Sequence, residues 1–306
     1  MLVAPLSLGT LTMGPFQLDL PQNEGAGLIV EAVRRGINLL DSAKAYETYP
    51  HVARAISMLE PRQREGLHII ARSYDYSREG MEESFHGALN SLGLHRLSLY
   101  MLHEQESAMT LEGHREALEY LREMKQQGKL LATGISTHYV SAVRSAGRNP
   151  LVDVIFAILN REGLGIMDGT RQDMEEALRE AHRRGKGILL MKALGGGHLH
   201  RSAGSALEYA RDLPFVHSVV LGMQDLMELE FALSVFNREE GQKTLNRPGG
   251  RRLFIEEWCQ GCGKCVDACP FGALSLKDGR AVVSREQCML CSYCAGACPD
   301  FCIKVI

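Results

Sequence analysis

Over the first 240 residues, short apolar runs alternate with longer segments whose apolar positions fall three and four apart. The runs are Ile37–Leu40, Leu67–Ala71, Leu97–Leu102, Leu130–Ile135, Val152–Leu159, Gly187–Met191 and Val216–Leu221. Runs this short, closed off by polar residues, read as buried strands. Between them Glu79–Leu92, Leu111–Gln127, Asp173–Arg184 and Asp225–Phe236 read as helices with one buried face. Leu118, Leu121 and Met124 mark that face in one helix, and Ala177, Leu178 and Ala181 in another. Helices stop at Gly36, Gly128 and Gly185, where glycine takes the left-handed cap conformation without strain. Strand–helix alternation at about 30 residues per unit, repeated about eight times, predicts an α/β fold, a (β/α)8 TIM barrel. No Gly-x-Gly-x-x-Gly follows the first strand, which argues against a dinucleotide-binding doubly wound sheet.

The pattern changes after residue 250. Leu274 and Leu276 alternate with polar residues, Asp278-Gly279 signals a hairpin turn, and Ala281, Val282 and Val283 begin a return strand. All nine cysteines lie here, and eight repeat one spacing. Cys259, Cys262, Cys265 and Cys269 precede Pro270; Cys288, Cys291, Cys294 and Cys298 precede Pro299. Each run reads C-x2-C-x2-C-x3-C-P, the bacterial ferredoxin spacing for iron–sulfur ligation, in which the fourth cysteine ligates the other cluster. The expected sets are therefore Cys259, Cys262, Cys265 with Cys298, and Cys288, Cys291, Cys294 with Cys269. Zinc favours two C-x2-C pairs across a longer spacer, and a disulfide framework needs an oxidising compartment. Cys302 aligns with Ala273 when the runs are superposed and is read as a small buried residue. The chain divides into a barrel over 1–240, a linker over 241–252 and a small α+β ferredoxin-like domain over 253–306.

Net charge is −3, so no basic surface for nucleic acid or anionic lipid is implied. The first residues lack a basic leader, and no stretch approaches the 18 or so apolar residues that span a bilayer. A cytoplasmic protein without membrane or nucleic-acid partners is expected. From residue 249 onward seven Lys/Arg face six Asp/Glu. A carrier that seeks partners by long-range attraction would carry more charge, so this module reads as docked on its own enzyme.

The barrel segment resembles the aldo/keto reductase family. Gly36-Ile-Asn-Leu-Leu-Asp41-Ser-Ala-Lys-Ala-Tyr46 matches its G-I-N-x-x-D-T-A-x-x-Y signature. Ser91-Leu-Gly-Leu, Leu99-Tyr-Met-Leu-His103, Gly128–Ser136 and Ala193-Leu-Gly-Gly-Gly197 match further elements. His138 and Lys192 resemble the branch of that family with C-terminal iron–sulfur motifs. The resemblance implies that Tyr46 protonates a carbonyl oxygen, that Asp41 and a lysine lower its pKa, and that His103 orients the carbonyl. It places cofactor contacts at Ser136, Asn160, Gly195, Gly196 and Gly197.

Three departures follow. Ser73 is read at the family lysine, with Arg72 pointing the other way along the strand; Lys192, or less readily Lys44, would then supply the charge. Phe156 stands where the family's carboxamide-binding glutamine is expected. The phosphate-binding segment Gly222–Phe231 holds three acids and no base, which should repel a 2′-phosphate. NAD(P)H in the usual pose is therefore not expected. Plainer roles stand beside these: Asp41 as a cap, Tyr46 as a packed aromatic, His103 and His138 as hydrogen-bonded histidines, Lys192 paired with Asp41, and the triglycine as a turn.

Three function classes result. In the first, an iron–sulfur oxidoreductase exchanges electrons between an external partner and a small molecule in the barrel mouth, using two 4Fe-4S clusters and Tyr46 as proton donor. The others are an NAD(P)H-dependent carbonyl reductase with an added ferredoxin, and an electron carrier with an idle barrel.

Overall fold

The computed structural model describes residues 2–239 and 251–306; most of the sequence-read linker lies outside them. Eight parallel strands close into a barrel: β1 (Leu6–Gly9), β2 (Leu39–Asp41), β3 (His68–Ser73), β4 (Leu97–Leu102), β5 (Leu130–Thr137), β6 (Val154–Ile158), β7 (Gly187–Met191) and β8 (Ser218–Gly222). Closure comes from β1 on β8, with Leu6 opposite Val219 and Leu8 opposite Leu221. Two apolar cores follow from the period-two alternation of strand side chains. Leu39, Ile70, Leu99, Met101, Val154, Phe156, Leu189 and Val220 fill the barrel interior. Ile69, Ala71, Tyr100, Ile135 and Ile155 point outward and pack under the helices.

The helices fall where the apolar spacing puts them, over Arg78–Leu92, Arg171–Arg183 and Leu226–Phe236. The segment read as one helix over Leu111–Gln127 is two, Ala108–Gly113 and Arg115–Gln126, broken at His114. Among the described residues no helix is long and apolar enough to cross a membrane.

The C-terminal module holds two antiparallel pairs. The expected hairpin is β10 (Leu274–Lys277) on β11 (Arg280–Val283), and β9 (Leu253–Ile255) pairs with β12 (Ile303–Val305). Cys265, Leu274, Ala281, Cys294, Cys302 and Ile303 form its core. The module lies over the loops that follow β6 and β7. Val305 N–H donates to the Gly196 carbonyl at 2.9 Å. His198 Nε2 lies 2.8 Å from the Ile303 carbonyl and Nδ1 3.0 Å from Ser292 Oγ. Arg201 donates to the Met289 carbonyl at 3.0 Å.

Candidate active site and cluster site

The mouth of the barrel is built from the C-terminal ends of its strands, where barrel folds carry their chemistry. Asp41 ends β2 inside the barrel and is buried. Arg72, near the end of β3, meets it with both nitrogens, Nη1 to Oδ1 at 2.7 Å and Nη2 to Oδ2 at 2.9 Å. Nη2 also donates to the Tyr46 hydroxyl oxygen at 2.6 Å. Tyr46 sits on the helical turn Lys44–Tyr46 that follows β2.

This corrects the sequence reading of β3. Ile70 points into the barrel, so the pleat brings Arg72 inward two residues later and turns Ser73 outward, where it accepts from Tyr100. Arg72 therefore takes the place expected for the family lysine. Neither substitute charge serves: Lys44 donates to Ser84, and Lys192 lies against His138. The suggested Lys192–Asp41 pair does not form, because Arg72 holds Asp41.

Burial pushes the Asp41 carboxyl up to about 6, with the Arg72 guanidinium pulling the other way. Burial likewise pushes the Tyr46 phenol up to about 12, again opposed by Arg72, so the hydroxyl keeps its proton across the working range. Its oxygen accepts from Arg72 and its own hydrogen remains to be given to another group. His103 follows β4, with its ring 5.8 Å from that of Tyr46 and stacked 4.3 Å from Tyr74. Burial, helped by Arg72 and Lys192, drives its pKa well below the usual histidine range. The imidazole is neutral, and its buried Nδ1 has no partner among the described residues. Phe156 lies in the interior under Arg72, 4.9 Å from ring centre to guanidinium.

The residues assigned to a nicotinamide cofactor do different work. Ser136 Oγ accepts from the Glu104 N–H at 2.9 Å and so ties the loop after β4 to β5. Both ends of the Asn160 side chain are spent on Leu164, Nδ2 to its carbonyl at 2.8 Å and Oδ1 from its N–H at 2.9 Å. Gly195, Gly196 and Gly197 have φ of 57°, 65° and 87°, and Gly196 and Gly197 receive the module. A Cβ on Gly196 would meet Lys304 Cδ at 2.8 Å, and one on Gly197 would strike the Val305 carbonyl. In this structure Gly196 and Gly197 are a seat for β12. The acidic stretch after β8 also holds the chain leading into the module: Glu228 pairs with Arg251 at 3.0 Å.

Phe301 is the anchor that sequence reasoning missed. Its buried ring belongs to the barrel core and lies against Gly165, where a Cβ would come within 2.7 Å of it. Two lysine nitrogens lie over the ring, Lys304 Nζ 3.6 Å and Lys192 Nζ 5.3 Å from its centre. Its backbone is left-handed, φ 45°. The offset of 29 between the cysteine runs was a usable signal. The equivalent position in the first run is Gly272, φ 58°, so an aromatic residue stands where its repeat needs glycine.

The eight cysteines gather as the crossed sets. Cys259, Cys262, Cys265 and Cys298 line one cavity, and Cys269, Cys288, Cys291 and Cys294 another. Backbone N–H groups reach sulfur in both, Ala281 to Cys259 at 3.5 Å and Ala273 to Cys269 at 3.3 Å. Four thiols around a cavity, with amides aimed at sulfur, fit a 4Fe-4S cluster in each. The loops share a backbone as well as a spacing: Gly261 and Gly263 are left-handed, and so are Leu290 and Ser292 at the same offset. Cys302 is buried and also lines the first cavity, its Sγ 3.3 Å from Cys298 Sγ.

Comparison with known proteins agrees with this division. Residues 5–205 match the model of the aldo/keto reductase family, and residues 253–275 match that of the 4Fe-4S binding domain. No curated protein matches the chain. A Pseudomonas aeruginosa protein assigned as an aldo-keto reductase superposes with TM-score 0.65 at 24% identity, over 77% of this chain and 90% of its own. The holo form of a Bacillus halodurans aldo-keto reductase gives 0.64 at 17%, over 80% and 89%. A Giardia lamblia aldose reductase gives 0.60 at 14%, over 77% and 88%.

Proposed function

Because the chain belongs to the aldo/keto reductase family and carries a 4Fe-4S binding domain, we propose that it is an iron–sulfur oxidoreductase working without a dissociable nicotinamide. The observation that carries this reading is the seating of β12 across Gly196, with Phe301 against Gly165, on the side where the family resemblance puts nicotinamide contacts. A dinucleotide that reached those glycines would have to displace this strand. Two bound 4Fe-4S clusters would supply single electrons, received from an external donor.

The substrate is a small molecule reduced at the open half of the mouth, where Tyr46 and His103 stand beside the exposed side chain of Tyr74. Reduction of a carbonyl to an alcohol consumes two electrons and two protons. Tyr46 gives one proton to the oxygen as negative charge builds there, and the second, which goes to the carbon, comes from water. A phenol raised to about 12 is a weak acid, suited to an oxygen made strongly basic by electron addition. Arg72 steadies the phenolate as the proton leaves, Asp41 fixes Arg72, and neutral His103 orients the oxygen.

The test is an anaerobic titration of cluster-loaded protein with NADPH and NADH, followed by turnover with a reduced viologen. No binding of either nucleotide at millimolar concentration and viologen-driven carbonyl reduction are expected. Tight NADPH binding with hydride transfer would establish instead the carbonyl reductase reading, which the intact Asp41–Arg72–Tyr46 constellation favours and which requires β12 to leave the groove.

A further inference from the structure

Proton delivery at Tyr46 leaves Lys192 unused, although it stands just past the end of β7 in the same mouth. Its backbone is left-handed, φ 58°, a conformation a lysine keeps only where its surroundings hold it. An ammonium drawn out of water normally meets a carboxylate. Here Nζ meets His138 Nε2 at 2.9 Å, just past β5, and the ring of Phe301 at 5.3 Å from its centre. Burial and the charges of Lys192 and Lys304 keep His138 neutral. It therefore accepts one Nζ hydrogen and supplies no negative charge. Among the described residues no carboxylate pairs with Lys192.

The other charges around it are spent. Arg72 is held by Asp41 at both nitrogens. Lys304 and Glu256 are both buried and offset one another, since burial lowers the one and raises the other and each lies in the other's field. Glu104 is exposed and accepts from Tyr74 at 2.8 Å. Burial lowers the Lys192 ammonium to about 8, with Glu104 and Glu256 opposing and Arg72 assisting. At pH 7 roughly nine in ten such side chains keep the proton. One positive charge is left over on a half-buried side chain, with two N–H hydrogens not given to His138.

We propose that Lys192 binds a carboxylate of the substrate, which is an oxo acid with its carbonyl at Tyr46 and His103. This rests on the reading that the mouth receives a carbonyl compound, and narrows it. His103 links the two ends: its ring is 5.8 Å from that of Tyr46, and its pKa is lowered, after burial and Arg72, by Lys192. A carboxylate matches the single charge left over, and in a site drawn out of water that match counts for more than at an open surface. A phosphate would bring a charge of about two, and Gly196 and Gly197, a turn able to cradle one, are taken up by β12. No bond forms to the lysine, so the carbonyl oxygen stays with Tyr46 and the hydroxy acid leaves freely.

Titration calorimetry tests this on the cluster-loaded full-length protein under anaerobic conditions, without an electron donor. The probes are pyruvate, acetoacetate and levulinate, which set the carbonyl progressively further from the carboxylate, and their neutral methyl esters. At least one acid should bind at least tenfold more tightly than its ester. Its affinity should fall several-fold from pH 7 to pH 9, as Lys192 gives up its proton. Lys192→Met should abolish the preference for the acid and leave ester binding unchanged, and Lys192→Arg should keep most of it. In viologen-driven turnover Lys192→Met should raise KM for that acid at least tenfold with little change in kcat. Acids and esters that bind alike, no acid binding at all, or a preference that survives Lys192→Met overturns the proposal. Acid binding without viologen-driven reduction counts against the proposed function alone, and reduction of neutral ketones without any acid preference counts against this inference alone.

Discussion

The two halves of the barrel mouth have kept different things. On the side of β2 to β4, Asp41, Tyr46 and His103 stand where the family resemblance places them, and Arg72 holds the position of the expected lysine. On the side of β6 to β8 small residues make room: Gly165, Gly196 and Gly197 admit Phe301, Lys304 and Val305. Where a proton moves, a charge must stay at a fixed distance, and one cation replaces another. Where a strand is seated, only room is needed, and small residues supply it. The first half is constrained by electrostatics and the second by shape.

Breaking the first half should cost most. Tyr46→Phe keeps the ring and removes the proton, and a fall in turnover of about 10²–10⁴-fold is expected in viologen-driven assays. Normal turnover would mean that the first half of the mouth is not the proton-delivering half. Arg72→Met should unfold the protein more readily by about 3–5 kcal/mol, measured by denaturant titration, because Asp41 is left buried without its partner. Replacing the pair together, as Asp41→Asn with Arg72→Met, should recover part of that stability but none of the activity. In the same half, turnover of the wild type should fall as pH drops through about 6. Asp41 then takes up a proton and the two-point hold on Arg72 weakens. A rate flat from pH 7 to pH 5 would remove Asp41 from the proton path.

The second half can be opened by shape alone. Phe301→Gly gives the left-handed backbone its preferred residue, as in the first repeat at Gly272, but loses the buried ring. Strain relief returns roughly 1–2 kcal/mol, and loss of a buried phenylalanine costs about 3–5. A net destabilisation of the module on the barrel follows, visible as faster separation of the two in limited proteolysis. Equal proteolysis rates would show that β12, not Phe301, carries the docking.

How much of this was legible in the sequence also divides along the two halves. Most barrel strands announce themselves as apolar runs, but β1 does not: only Leu6 and Leu8 are apolar aliphatics within its four residues, and its place is fixed by pairing with β8. The site residues of the first half were legible because they sit in matched motifs, Asp41 and Tyr46 in one and His103 in another. Arg72 was misread by a single position, since Ser73 was aligned with the lysine while the strand's own pleat, counted from Ile70, points Arg72 inward. The second half was hidden. Nothing near Gly195 or Asn160 says that a strand more than a hundred residues away will fill the groove, because packing of this kind leaves no local pattern. The crossed cysteine sets were readable since ligand spacing is local, and they line two separate cavities as expected.

The smallest effect is expected at Cys302, which lies between the two regimes, chemical by type and structural by position. It replaces Ala273 of the first repeat and is buried in the module core, so Cys302→Ala should fit without strain. Iron and sulfide should remain at about eight each per chain, because four other thiols, Cys259, Cys262, Cys265 and Cys298, line the first cavity beside it. Its Sγ nevertheless lies 3.3 Å from Cys298 Sγ, close enough for the thiol to donate to a ligand sulfur. Such a donor favours the more negative, reduced state, so its loss should lower the potential of the first site slightly and leave the second alone. Redox titration followed by electron paramagnetic resonance reads this directly. A loss of four irons per chain would make Cys302 a ligand and break the crossed assignment.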